Sequence, residues 1–286
     1  MESIGNYKMI PTQNIYELGK KLEDYDGLTL KVFQSDYELG WTYTTADNKI
    51  IKLKTYTGVD HHPLNSHQLK DLLQDVELNQ ISINKVIFAT HNRNYCLVPE
   101  VFYNPADREK LFCATQRLGE NDLVIAEKIK EEPYYFLFSI NRAIRDLVYS
   151  QWTNVKIAHA VLESLNLYKH ENRLGLGKKM LAQIIKNQLN IFVFTDNSFN
   201  DVMSVEIETP SDVLYFLMSM ANRHKFDISR DVLVLFGDIK RDDNYYQTIS
   251  AYFQKSYFGN RPDTNSYCEE LGILPYQHYF HLYAIE

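Results

Sequence analysis

Asp60-His61-His62-Pro63 sets a carboxylate beside two imidazoles, a combination able to hold a metal ion or pass protons near neutral pH. Its polar surroundings, just ahead of a helix, point instead to a solvated loop. His278 and His281 alternate with Tyr276, Tyr279, Phe280 and Tyr283. In an extended segment those two imidazoles face opposite sides, so joint ligation is not expected; a terminal strand with partly buried histidines is. Gly175-Leu176-Gly177-Lys178 has the residue types of a phosphate loop. It lacks the four-residue spacer and the Ser or Thr after the lysine, and it leads into a strand, not a helix. Cys96, Cys113 and Cys268 are the three cysteines, far apart and without a CxxC or Cys/His ligand spacing. A disulfide framework and a structural zinc are therefore not expected, and reduced thiols fit a cytosolic compartment. No GxSxG elbow offers a nucleophile.

These residues need a scaffold, and composition bounds it. The chain has 286 residues, enough for two domains or one domain of two halves, and 45% are apolar, enough for a sizeable core. Its formal net charge of −7, without a dense Lys/Arg stripe, is poorly suited to collecting phosphates along a nucleic acid. Lys178, Lys179 and Lys186 fall close together in sequence and are expected to form a solvated face. Tyrosines number 21 against 2 tryptophans; an apolar ring with a polar tip suits half-buried strands and contact surfaces. Met1 to Tyr16 lacks the basic-then-apolar layout of a signal peptide, and no apolar run approaches the roughly 18 residues a membrane span needs. A soluble, cytoplasmic protein is expected, with no nucleic acid and no membrane insertion.

The elements follow from periodicity. Leu28, Leu30 and Val32 alternate with Thr29, Lys31 and Phe33; Leu39, Trp41 and Tyr43 share one face of a second strand; Ile51 and Leu53 mark a third. Short polar turns separate them, which predicts an antiparallel meander. The period then lengthens: Asn65 or Ser66 can cap a helix bearing Leu69, Leu72, Leu73 and Val76. Val86-Ile87-Phe88-Ala89 reads as a buried strand. The same order returns about 150 residues later. Met180–Ile185, Ile191–Phe194 and Val202–Ile207 are strands, Thr209-Pro210 with Asp212 starts a helix, and Val232–Phe236 is the buried strand after it. A further helix is expected over about 243–254. Between the copies lie a helix over about 104–118, strands near 123–125 and 134–140, and two more helices. This predicts residues 1–175 as a first lobe, with an inserted or extended segment near 95–130, and residues 176–286 as a second.

The segments GLTLKVFQSDYELGW, YYFLFSINRAI, NIFVFTDNSFNDVMSVEIETPSDVLYFLM and VLVLFGDIKRDDNYYQTI resemble an uncharacterised bacterial family with an actin-like ATPase fold. The likeness runs over residues 20 to 285. It implies an α/β protein of two ribonuclease-H-like lobes with mixed five-stranded sheets. The wider superfamily spans actin, sugar kinases, heat-shock chaperones and scaffolds of pilus assembly. Its members bind ATP and magnesium between lobes, through a phosphate-wrapping hairpin turn in each lobe and a glycine pair after the last central strand. Glycines let backbone N–H groups approach phosphate, and an acid in the first turn organises the metal.

Carried onto this chain, those motifs fall on Gln34-Ser35-Asp36-Tyr37, on Thr195-Asp196-Asn197-Ser198 and on Phe236-Gly237-Asp238. The nucleotide-binding candidates are Ser35, Asp36, Asp196, Asn197, Gly237 and Asp238, with Asp36 the metal ligand. The acids survive. The close-approach glycines do not, apart from Gly237, and Asp, Asn and Ser are also ordinary turn residues. A ribonuclease H nuclease needs carboxylates on the first and fourth strands; Leu28–Gln34 and Lys85–Thr90 carry none. Two readings follow. One is a non-enzymatic scaffold that binds a protein partner and whose nucleotide motifs have degenerated. The other is an ATPase or ATP-binding switch using ATP and magnesium in the inter-lobe cleft.

Overall fold

Alternating apolar residues become strands wherever a second layer can cover them. The computed structural model describes residues 9–58, 63–64, 66–74, 83–171, 176–196 and 198–286. Asp60, His61, His62, Asn65, Val76, Gly175 and Asn197 lie outside them, and with them the Asp-His-His cluster and one of the two expected caps of the first helix.

The strands are β1 (Gln13–Tyr16), β2 (Leu28–Gln34), β3 (Glu38–Thr44), β4 (Lys49–Thr57), β5 (Ile83–Thr90), β6 (Tyr95–Pro99), β7 (Asp122–Lys128), β8 (Tyr134–Asn141), β9 (Val155–His159), β10 (Lys178–Ile185), β11 (Gln188–Thr195), β12 (Ser198–Glu206), β13 (Val232–Gly237), β14 (Ser256–Phe258) and β15 (Ser266–Tyr267). The helices are α1 (Ser66–Leu73), α2 (Arg108–Cys113), α3 (Arg142–Gln151), α4 (Ala160–Glu171), α5 (Pro210–Arg223), α6 (Asn244–Ser250) and α7 (Phe280–Tyr283). The first sheet has the order β1-β4-β3-β2-β5-β9, with β15 also paired to β4, and the second β12-β11-β10-β13-β14. Inside both lies one plan: an antiparallel meander whose first strand pairs in parallel with the strand after the crossover helix. The expected β-β-β-α-β repeat is present, and so is its strand order.

The chain forms two compact units, neither of them one continuous stretch. One comprises residues 1–91, 143–158 and 265–273; the other comprises residues 92–142, 159–264 and 274–286. In the second unit, β10, β11 and β13 turn Met180, Ala182, Ile184, Leu189, Ile191, Val193, Leu233 and Leu235 toward Val213, Leu217 and Met220 of α5. Thr209 starts that helix as the sequence suggests: its Oγ1 accepts the Asp212 N–H at 3.3 Å, and Asp212 accepts the Thr209 N–H at 2.8 Å. The opposite face is aromatic. Tyr168 of α4 meets Phe192 and Phe236, and stacks on Phe280 at 4.6 Å. Helices thus cover both faces, which is why the strands read as near-continuous apolar runs.

A three-stranded sheet of order β6-β8-β7 belongs to the same unit. Val98, Phe112, Val124 and Leu137 pack together on one side, while Tyr95, Phe136 and Phe138 surround the buried His159 on the other. A polar row fastens this sheet to the larger one. Tyr95 Oη meets Ser204 Oγ at 2.7 Å, Ser204 Oγ donates to Asn190 Oδ1 at 2.5 Å, and Asn190 Nδ2 donates to Gln183 Oε1 at 3.4 Å. Burial pushes the Tyr95 phenol well above its ordinary value.

Some local expectations need correction. The helix expected over about 104–118 is a 3-10 turn at Pro105–Asp107 followed by the short α2. It stops before Gln116, whose side chain leaves to donate to the Tyr95 carbonyl at 2.9 Å. The helix expected over about 243–254 is α6, capped by Asp243 and ended by Ala251. The C-terminal strand expected around His278 and His281 is a turn and the short α7. Tyr279 adopts a left-handed φ of 56°, which breaks an extended path. Phe280 then inserts between Tyr168 and Phe236.

Candidate functional site

The parallel pairs β2–β5 and β10–β13 each bring two strand ends to one edge of a sheet. Ligands of such sheets meet the protein at carboxyl ends of strands, which makes these edges the candidate site.

In the first unit, Gln34 closes β2 opposite Thr90, the last residue of β5. Its Oε1 accepts the Thr90 hydroxyl at 3.1 Å, its Nε2 donates to the Ser35 carbonyl at 3.0 Å, and its carbonyl accepts the His91 N–H at 2.7 Å. Ser35 is buried in the turn. Its Oγ accepts the N–H groups of Glu38 at 3.0 Å and Tyr37 at 3.3 Å, and its own N–H donates to the Glu38 carbonyl at 2.8 Å. Such a hydroxyl replaces an external acceptor with an internal one. Asp36 is exposed, and its carbonyl accepts the Leu64 N–H at 2.6 Å. Ser35 and Asp36 thus lie at a strand edge, as does Gln34, which opens the expected motif; Thr90 and His91 were not foreseen there.

In the second unit the equivalent hairpin is the two-residue turn Lys186–Asn187, because Ile185 pairs with Gln188. Lys186 adopts φ 53°. Its N–H donates to Asp238 Oδ2 at 3.1 Å, and its ammonium lies 3.2 Å from the same oxygen. The Asp238 N–H donates to the Ile184 carbonyl, and the Gly237 N–H to the Gln277 carbonyl, both at 2.8 Å. Gly237 has φ 89°, and a Cβ there would stand 1.8 Å from the Ile184 carbonyl oxygen. Only glycine fits this crossing.

Asp196 sits at the other end of the sheet. It turns β11 into β12 with φ 49°, and its Oδ1 accepts the Gly177 N–H at 2.7 Å. Gly177 precedes β10, whereas Gly237 pairs with Ile184 near its end. Seven residues of strand separate those levels, about 23 Å at ~3.3 Å per residue. Gly237 and Asp238 are therefore brought together with Lys186, and Asp196 is not. Position in the repeat is the signal that finds Lys186–Asn187: β10 repeats β2, so the turn after β10 corresponds to the turn after β2. Nor do the lysines form one patch. Lys178 donates to the carbonyls of His224 and Lys225 at 3.0 and 2.5 Å, while Lys186 belongs to Asp238. Among the described residues no group of three or more His, Cys, Asp or Glu side chains could hold a metal ion, and no helix is long and apolar enough to cross a membrane.

Residues 42–255 match the family described as "Protein of unknown function (DUF3822)". The chain belongs to that family. No curated protein matches it. Among solved structures it is similar to a Bacteroides thetaiotaomicron protein with actin-like ATPase fold and unknown function. That match has a TM-score of 0.72 at 17% identity, over 84% of this chain and 93% of that one. It is also similar to a structure of the PilM–PilN type IV pilus biogenesis complex, with a TM-score of 0.61 at 10% identity, over 89% of this chain and 96% of that one. This family member has the actin-like ATPase fold.

Proposed function

We propose that this DUF3822 protein is a cytoplasmic, partner-binding scaffold on the actin-like fold, not a nucleotide hydrolase. One observation carries the reading: at the strand edges where the fold's motifs would cradle phosphate, the backbone donors are already held by the chain itself. Ser35 Oγ takes the N–H groups of Tyr37 and Glu38, the Asp238 carboxylate takes that of Lys186, and the Gln277 carbonyl takes that of Gly237. To enter, a phosphate would have to displace neutral acceptors in one unit. In the other it would meet a fixed carboxylate, which repels it. Magnesium would find Asp36 exposed and without a cluster of further acids among the described residues.

Two further facts favour a protein partner. Val101 and Phe102, side by side after β6, are largely exposed large apolar side chains, and paired exposure of this kind suits a contact surface. One structural relative, PilM, was solved in complex with another protein, PilN.

The test is a thermal-shift and hydrolysis assay with millimolar ATP and magnesium. A scaffold shows no rise in melting temperature and no magnesium-dependent phosphate release, because a ligand that binds only the folded state must stabilise it. A clear rise or steady turnover would sink the scaffold reading in favour of a nucleotide switch.

A further inference from the structure

The C-terminal segment closes the end of β13 through groups that no strand pairing requires. The Gly237 N–H donates to the Gln277 carbonyl at 2.8 Å, and Gln277 Nε2 donates back to the Ile239 carbonyl at 2.9 Å. His278 follows directly. Its Nε2 is buried and has no hydrogen-bond partner. Charged groups face it from two packed elements: Asp238 and Lys240 from the connection after β13, and Lys186 from the β10–β11 hairpin. The Asp238 carboxylate is already shared with the N–H and the ammonium of Lys186.

We propose that His278 is a pH-sensitive clasp: neutral, it holds Gln277 against the end of β13, and protonated, it loosens that hold. A proton on the buried Nε2 creates a donor with nothing to accept it and places a cation among two lysines and a single, already engaged carboxylate. Burial is the larger influence and pushes the His278 ring below its ordinary value, the Asp238 carboxylate and the Ile239 backbone opposing it only in part. The sign follows: the folded segment binds a proton less readily than the opened one. The clasp is therefore fully in place above the free imidazole value of about 6.5 and is lost progressively as pH falls below it. Phe280–Ile285 stay buried beyond the turn, so the loosening is local to Leu274–His278. The device works whether or not nucleotide binds.

Amide hydrogen exchange of the whole chain reads it. After correction for intrinsic rates, protection of the Gly237 amide is expected to fall several-fold between one pH unit above and one below that value of about 6.5, while the Leu181 amide in mid-sheet holds steady. H278Q, uncharged at both pH values, is expected to show no such fall. Constant Gly237 protection in the wild-type chain, an equal fall at Leu181, or the same fall in H278Q would each overturn the clasp.

Discussion

The two strand edges share a topology and differ in how they are closed. In the first unit the end of β2–β5 is neutral: a glutamine, a serine and a threonine exchange hydrogen bonds across the turn. In the second, the end of β10–β13 is charged and steric. Lys186 and Asp238 pair there, and Gly237 lets one backbone cross another. The same backbone geometry is thus satisfied by two unrelated side-chain solutions. The difference teaches that the fold demands filled donors at these edges but does not dictate what fills them. It also makes the edges unequal in tolerance, since side-chain hydrogen bonds can be trimmed and a backbone crossing cannot.

Four substitutions sharpen or break that contrast, each measured by chemical denaturation. The largest effect is expected at Gly237→Ala, at least about 3 kcal/mol, from a left-handed φ plus a collision with the Ile184 carbonyl oxygen. A cost no greater than at Thr90, its counterpart in the first unit, would break the comparison. Ser35→Ala should cost about 2 kcal/mol, within the range for stranding a buried donor, because both the Tyr37 and Glu38 N–H groups lose their Oγ acceptor. Thr90→Ala removes one buried side-chain hydrogen bond to Gln34 and should cost about 1 kcal/mol. Asp238→Asn keeps an acceptor for the Lys186 N–H and loses only a partly exposed ion pair. Its expected cost is below about 1 kcal/mol and should shrink further in high salt. If Asp238→Asn proves costlier than Ser35→Ala, the side-chain contacts of the charged edge outweigh those of the neutral one, and the order of these two substitutions reverses.

Much of the fold could be read from residue spacing. Both meanders, both crossover helices and the Thr209–Asp212 cap appear where alternation and capping chemistry put them, since these are local properties of consecutive residues. Short edge strands were not legible. β1, β9, β14 and β15 have two to five residues each, too few to show a period, and exist only because a neighbouring strand offers them hydrogen bonds. The helix assigned past Cys113 failed because Gln116 is better used on a distant carbonyl than in another helical turn.

The candidate site divides in the same way. Ser35, Asp36, Gly237 and Asp238 were legible as turn residues beside buried strands. Asp196 was drawn in by the family resemblance, yet it serves the far end of the sheet. Lys186 was assigned to a solvated lysine face, because a lysine announces no turn.

By itself the amino-acid order determined which segments are strands or helices, and that one strand–helix plan is used twice, because alternation and capping act between near neighbours. Only the tertiary structure decided which turns share an edge, that Asp238 answers Lys186 from 52 residues away, and that Gln277 and His278 return to close β13. Those partners are chosen by parallel pairing and strand register, which bring together residues whose separation along the chain carries no trace of their contact.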